Sequence, residues 1–425
     1  MSTNKYDLGL VGLGTMGKNL LMNMADNGFE VAGYDKDMSK VDSLKDAEGD
    51  IYGAKTIEEF VDALEKPRRV FLLVPAGKIV DYVIADLLPL LEKGDIIMDG
   101  GNSYFKDTMR RQKELSPKGI HFLGIGVSGG AEGARRGPSM MPGGNKTAYN
   151  KVKPIMEAVA AKIGKQPCVT YLGEGGVGHF VKMVHNGIEY GLMQLLAEAY
   201  DVMRRGLGMD NAAIQAVFAD WNSKELQSFL VEITAEIFSA KDNLSDGDLI
   251  DQIMDKGKQK GTGKWTSQEA LDLGAAVPTI DLAVIARVVS AFKKERVAAA
   301  EVLTGPEGLI KKDQKTMVRR LKNATLFSFI VSYAQGMAML KDGSDEYGFN
   351  LDLEGVARIW RGGCIVRAKL LEDFRRAYKK QADLSNLLMD APIAKKVNKT
   401  QKDTRTVITE AIKVGIPVPC LMASL

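Results

Sequence analysis

An α/β, doubly wound sheet followed by a large all-α domain is the fold class this sequence predicts. Three observations carry that expectation. Short β-rich runs alternate with helix-length segments as far as Leu172, long amphipathic helices dominate from Val177 onward, and the change falls at a glycine-rich stretch, Gly173-Glu-Gly-Gly-Val-Gly178.

Leu8–Val11, Phe29–Tyr34, Arg69–Val74, Asp95–Met98, Ile120–Ile125 and Val169–Leu172 read as strands. Strands separated by helical segments imply a parallel sheet with crossover helices. Residues 1–176 are therefore expected to form one domain and 177–425 a second, all-helical one. Within the helical half, Asn211–Trp221 and Asn350–Trp360 share an apolar pattern ending in Trp, as a duplicated helical unit would. The last segment, Val414–Leu425, is apolar and punctuated by proline.

With 425 residues and 45% apolar content, the chain has ample material for two cores. A net charge of +3, with both signs interspersed, argues against nucleic acid or a membrane surface as partner. Cys168, Cys364 and Cys420 lie far apart, which gives no disulfide framework and no metal-ligand spacing, so no metal is expected. Met1–Asp7 lacks the apolar core of a secretory signal, and no apolar run reaches the length of a membrane span. A soluble, cytoplasmic protein is expected.

Gly12, Gly14 and Gly17 form G-x-G-x-x-G, with Leu13, Thr15 and Met16 between them. The motif follows a predicted strand and opens a predicted helix, the context that a Rossmann-type dinucleotide site requires. The first glycine permits the tight turn, the second lets backbone approach a pyrophosphate, and the third lets helix pack on strand. The helix N-terminus then faces the anion with free N–H groups. The second strand ends in Asp35-Lys36-Asp37. An acidic residue in that place usually binds the adenosine ribose hydroxyls, and two carboxylates against one ammonium repel a 2′-phosphate, so NAD is expected over NADP. Asp35 could equally cap the next helix. The third and fourth long strands close in Val74-Pro75-Ala76-Gly77 and Asp99-Gly-Gly-Asn102-Ser103, at the strand ends where such sheets bind ligands. Asn102 is suited to a ribose or substrate hydroxyl, and also to a plain turn.

The most informative helix contains Lys182, His185, Asn186 and Glu189 at i, i+3, i+4 and i+7, with Tyr190 one step further round. Phe180, Val181, Met183, Val184, Ile188 and Leu192 surround that face. A polar stripe among apolar neighbours is costly without partners or a ligand. Lys182 and Glu189 stand roughly 10 Å apart along the axis, room for a small metabolite between an amine and a carboxyl group. The plainer alternative is a salt-bridged helix packed in a core. Lys258–Lys264 does not meet the spacing of a nucleoside-triphosphate loop, and His121 and His179 are read as structural.

Several further motifs occur in a fixed order: Gly126-Val-Ser128-Gly129-Gly130, Glu132-Gly-Ala-Arg135, Gly137-Pro-Ser-Met-Met-Pro-Gly-Gly144, Lys182-x-x-His185-Asn186-x-x-Glu189-Tyr190, and Gln259-Lys260-Gly-Thr262-Gly-Lys-Trp265. Together with the glycine loop they closely resemble the 6-phosphogluconate dehydrogenases, decarboxylating enzymes of the pentose phosphate pathway and members of the β-hydroxyacid dehydrogenase superfamily. The resemblance covers essentially the whole chain. It implies that Lys182 is the base at the substrate 3-hydroxyl and that Glu189 protonates the enediol. It also implies that Asn102, Ser128, Gly129, Gly130, His185 and Asn186 hold the sugar acid, and that Tyr190, Lys260, Thr262 and Arg287 hold its phosphate. A lysine base must be neutral to act, and an apolar helix face favours the neutral form. Arg287, in an apolar helical stretch, is expected to be buried and to need an anion. Cofactor contacts are expected from Gly12, Leu13, Gly14, Thr15, Met16, Gly17, Asp35, Lys36, Val74, Ala76 and Asn102. The family implies a homodimer or a dimer of dimers.

Three departures stand out. Asp35-Lys36-Asp37 replaces the Asn-Arg-Ser/Thr usual in NADP-using members, Pro75 replaces the usual lysine of the third loop, and the family's C-terminal tail, which brings an arginine and a histidine to the phosphate, is expected to be absent. Competing readings are another β-hydroxyacid dehydrogenase, or a non-catalytic nucleotide-binding dimer lacking the tail.

Overall fold

A computed structural model of the chain describes residues 6–45, 47–259 and 261–425. The chain divides into two units. The first runs to Met183 and takes in Tyr347–Ile365; the second comprises Val184–Glu346 and Val366–Leu425.

The first unit is built on a seven-stranded sheet of β1 (Leu8–Val11), β2 (Val31–Tyr34), β3 (Ile51–Gly53), β4 (Arg69–Leu72), β5 (Ile96–Asp99), β6 (His121–Ser128) and β7 (Ser139–Gly144), in the order β3-β2-β1-β4-β5-β6-β7. β1 to β6 pair in parallel, and β7 runs antiparallel to β6 at the edge. The connecting helices are α1 (Thr15–Asp26), α2 (Met38–Asp42), α3 (Ile57–Asp62), α4 (Lys78–Leu87), α5 (Phe105–Leu115), α6 (Gly130–Arg136) and α7 (Lys146–Val159). A small hairpin of β8 (Lys162–Ile163) and β9 (Gln166–Pro167) follows.

Alternate side chains of a strand face opposite sides of the sheet, and the two cores show it. Leu8 and Leu10 of β1, Phe71 of β4 and Met98 of β5 pack with Leu20 and Met24 of α1 and with Val152 and Ile155 of α7. Val11, Val70, Leu72 and Ile97, their sequence neighbours, pack instead with Phe60 of α3, Val83 and Leu87 of α4, and Leu115 of α5. Both faces are covered, as double winding requires.

One expected strand is corrected. Val169–Leu172 runs beside β7 but forms only an isolated bridge, Met140 to Val169. Met140 N donates to Cys168 O and Leu172 N to Pro142 O, both at 3.0 Å. Pro142 has no N–H to donate back, so the ladder cannot continue through it.

A single helix, α8 (Val177–Asp201), begins in the first unit and ends in the second. The second unit continues with α9 (Asn211–Asn222), α10 (Phe229–Ser239), α11 (Leu249–Gln252), α12 (Thr262–Leu273), α13 (Pro278–Ala291), α14 (Lys293–Val302) and the 34-residue α15 (Gln314–Tyr347). After α16 (Leu353–Ile359), which belongs to the first unit, come α17 (Leu370–Lys380), α18 (Ala391–Lys413) and α19 (Pro419–Ala423). Among the described residues, no helix is long and apolar enough to cross a membrane.

Candidate active site

In the first unit the glycine loop joins β1 to α1. Gly12 sits at φ +100°, and an added Cβ there would press on Leu73 O. A Cβ on Gly17 would collide with the Gly12 carbonyl, so α1 can start against the turn only because both are glycine. Gly14, by contrast, faces open space, and it precedes α1 with no side chain capping the helix N–H groups. These free donors beside open space fit a dinucleotide pyrophosphate.

A cleft of about 620 Å³ opens beside this loop. Of the residues expected at a cofactor, Gly12, Gly14, Asp35, Lys36 and Val74 line it, and so does Pro75. Leu13, Thr15, Met16, Gly17, Ala76 and Asn102 do not. Leu13 is buried, and its N–H donates to Asp35 Oδ2 at 2.8 Å, while Asp35 Oδ1 accepts from Asp37 N at 2.9 Å. Asp35 thus ties the glycine loop to the loop after β2. The cap of α2 is Asp37, whose Oδ1 accepts from Ser39 N.

The opposite wall was not anticipated. Ile79, Tyr82, Val83 and Asp86 of α4 line the cleft, with Ile79 44% and Tyr82 61% exposed. The signal was present: Val80, Val83, Ile84 and Leu87 satisfy the core face at helical spacing, leaving Ile79 and Tyr82 as surplus apolar residues off that face.

The loop after β5 is organised by Asp99, another residue not singled out. It is fully buried; Oδ1 accepts from Gly101 N at 3.0 Å and Oδ2 from the Ser103 hydroxyl at 2.6 Å. Arg111, also buried, lies 3.7 Å from Asp99 and donates to Asp81 Oδ1 and to Gly77 O, joining this loop to the one after β4. Asn102 is exposed.

β6 ends in Ser128-Gly129-Gly130. The Ser128 hydroxyl accepts from Ile365 N at 3.4 Å, and Gly129, at φ +130°, turns the chain into α6. A Cβ on Gly126 would strike Lys182 Cβ, and one on Gly178 would strike the Gly124 and Met141 carbonyls. The first turns of α8 therefore rest directly on β6 and β7, and Lys182 is held there with 5% exposure. His179, equally buried, meets the Thr108 hydroxyl at 2.6 Å, and burial pushes its pKa down, consistent with a structural role.

In the second unit, α8 presents His185, Asn186, Glu189 and Tyr190. His185 Nδ1 lies 3.0 Å from Asn186 Oδ1 and 3.9 Å from Glu189 Oε2. Asn186 Nδ2 donates to the Thr262 hydroxyl at 3.0 Å, at the start of α12. The Arg287 guanidinium stacks 3.7 Å above the Tyr190 ring and donates to Lys258 O at 2.7 Å. Thr262 and Arg287 are thus brought to the Asn186–Tyr190 face; Lys260 lies outside the described residues.

Arg287 is not buried, as expected from its apolar neighbours, but half-buried. The core face of α13 is Ile280, Ala283 and Val284; Ile285, Val288 and Val289 point outward, at 41–52% exposure. Among the described residues, no group of three or more His, Cys, Asp or Glu is placed to hold a metal ion.

Family models match the chain almost from end to end. The NAD binding domain of 6-phosphogluconate dehydrogenase matches residues 7–173, and the C-terminal domain of 6-phosphogluconate dehydrogenase matches residues 178–425. The chain belongs to the 6-phosphogluconate dehydrogenase family. A decarboxylating 6-phosphogluconate dehydrogenase of Lactococcus lactis is 48% identical over 99% of this chain and 90% of its own length. The NADP(+)-dependent, decarboxylating enzyme of Bacillus subtilis is 49% identical, over 99% and 91%. The 6-phosphogluconate dehydrogenase of Plasmodium falciparum, solved apo, with its cofactor NADP+ and with its substrate 6-phosphogluconate, superposes with a TM-score of 0.93 at 42% identity, over 98% of this chain and 91% of that one. A 3-hydroxyisobutyrate dehydrogenase of Salmonella typhimurium shares the fold alone, with a TM-score of 0.53 at 19% identity over 74% of this chain.

Proposed function

We propose that the protein oxidises and decarboxylates 6-phospho-D-gluconate to D-ribulose 5-phosphate and CO₂, with reduction of a nicotinamide dinucleotide. The observation that carries this reading is the polar face of α8: Lys182 buried over β6, and Glu189 two turns further along the same helix. A buried amine and a carboxyl group so spaced suit a reaction that needs one base and one acid.

A dinucleotide held beside Gly12 and Gly14 would supply the acceptor for the hydride that leaves C3 of the sugar acid. Lys182, neutral at the outset, takes the proton of the 3-hydroxyl. After CO₂ departs, the same amine returns that proton to the oxygen at C3 as the enediol forms. Glu189, in its acid form, then protonates C1 of the enediol while Lys182 takes back the proton of the neighbouring hydroxyl, which leaves the ketone. His185, Asn186 and Asn102 hold sugar hydroxyls, and the loop Ser128-Gly129-Gly130 takes the carboxylate on its hydroxyl and backbone N–H groups. Tyr190, Thr262 and Arg287, with Lys260, hold the phosphate; the stacking on Tyr190 fixes the guanidinium plane that meets it.

We infer further that NAD is preferred over NADP. Asp35 lines the cleft with Asp37 two residues on, and Lys40 is paired with both, at 3.4 and 3.9 Å. A 2′-phosphate bound beside them would be repelled by both carboxylates. The alternative, NADP, is favoured by the cofactor named for the Bacillus and Plasmodium relatives.

We also propose a homodimer formed through α13 and α14, because Ile285, Val288, Val289, Phe292 and Val297 expose a run of apolar surface at 41–52%. Contiguous apolar surface of this kind marks an interaction face.

Initial rates of NAD and NADP reduction with 6-phosphogluconate test the reading. Lys182→Ala should lower kcat by about 10²–10⁴-fold while dinucleotide binding persists. Faster turnover with NADP would keep the reaction and overturn the NAD preference. Binding without turnover in the wild type would favour a non-catalytic protein.

A further inference from the structure

Dinucleotide discrimination is ordinarily sought in the loop after the second strand. Here a residue on the opposite wall reaches into that loop. Lys36 Nζ lies 3.0 Å from Asp86 Oδ2 of α4, and both side chains line the cleft, with side-chain exposures of 71% and 44%. The Asp86 carboxylate, by its hydrogen bond and its charge, holds the Lys36 ammonium above the usual lysine range. The other cation of this end, Lys40, is turned to Asp35 and Asp37. The five charged groups are therefore three carboxylates and two ammoniums, and each ammonium is already directed at a carboxylate.

Resting on the reading that a nicotinamide dinucleotide occupies this cleft, we propose that Asp86 is a specificity-determining residue: it engages Lys36 across the cleft and so withholds from NADP the cation its 2′-phosphate needs. NAD has no phosphate there and gives up nothing to the pair. Discrimination is a difference between two affinities, and a group that disfavours one ligand sets it as effectively as a group that favours the other. NADP, to use Lys36, must first take it from Asp86 and then bear the repulsion of the freed carboxylate. Asp86 pulls the ratio of NADP to NAD affinity in the same direction whichever dinucleotide the wild type prefers.

Exposed ion pairs are modest in strength, so the effect is bounded. In Asp86→Ala, the ratio of NADP affinity to NAD affinity should rise roughly 1.5- to fivefold. The pair is open to solvent, so the change should shrink as ionic strength rises past the point where the Debye length falls below about 10 Å. The measurement is direct titration of NAD and of NADP into the wild type, Asp86→Ala, Lys36→Ala and the double variant, at low and high salt, without substrate. If the gain of Asp86→Ala is lost in the Lys36→Ala background, Asp86 acts through Lys36, as proposed. If the gain persists there, Asp86 acts by its own charge and the proposed route is wrong. An unchanged ratio in Asp86→Ala, in protein that still binds both dinucleotides, overturns the inference. If the wild type binds neither dinucleotide, the cofactor reading itself fails.

Discussion

The seat of Lys182 depends on what is missing from β6. Gly126 has no side chain, and the Cβ of Lys182 occupies the space one would need. Gly126→Ala should therefore push the first turns of α8 off the sheet. Overpacking of this kind costs about 1–3 kcal/mol, and the displaced amine should lower kcat more than it raises the Km for dinucleotide. Paired unfolding and initial-rate measurements check it; a variant with wild-type kcat would show that the close approach does not position Lys182. The sequence made Lys182 legible through its helical spacing but not this contact, because a glycine announces permission for an approach and not its partner. Asp99 was hidden for a similar reason. Its carboxylate works on its own loop, through Gly101 N and the Ser103 hydroxyl, and a residue acting on local backbone leaves no periodic trace. Asp35 was legible in place, but its bond to Leu13 N joins positions that only strand pairing brings together.

Among the elements, the five inner strands and the long helices were readable, and the two edge strands, β3 and β7, were not. β7 is Ser-Met-Met-Pro-Gly-Gly, and proline and glycine in a run argue against a strand unless it lies at an edge or bulge. Its antiparallel register with β6 supplies what its composition lacks. The end of the chain shows a second tertiary effect. Glu198 of α8 is 3% exposed, and its two carboxylate oxygens accept from Cys420 N and Leu421 N at the start of α19, each at 2.9 Å. Removing it in Glu198→Ala leaves two buried N–H groups without partners, a loss of about 2–5 kcal/mol. Burial nevertheless pushes its pKa above the ordinary glutamate value of 4.5, with the two N–H groups opposing. A raised pKa means that the folded state binds the proton more tightly. The stability from this group is fully present below pH 4.5 and is lost as pH rises through the folded value. Glu198→Gln, which cannot titrate, should thus trail the wild type most at low pH and less as pH rises, in denaturant unfolding across that range. A gap that widens with pH would mean that the two N–H donors outweigh desolvation.

For the molecule as a whole, the question is what covers the outer face of α13 and α14. Val289 lies on that face at 49% exposure, among Ile285, Val288 and Phe292, and away from the core positions Ile280, Ala283 and Val284. A large apolar face left in water is unfavourable, at about 25 cal/mol for each Å² of apolar area that association would remove. A carboxylate placed there costs nothing in a monomer, where it is solvated. In an interface it must be desolvated without a partner, a penalty of several kcal/mol. Val289→Asp should therefore convert a dimer to a monomer in sedimentation equilibrium while leaving helical content unchanged. The consequence for activity follows from Arg287, which sits two residues before Val289 and is only half-buried. If the partner's surface completes the burial of that guanidinium and its stack on Tyr190, dissociation should raise the Km for the phosphorylated substrate more than the Km for the dinucleotide. A monomeric wild type would remove the dimer proposal. A monomeric variant with an unchanged substrate Km would separate assembly from the phosphate site.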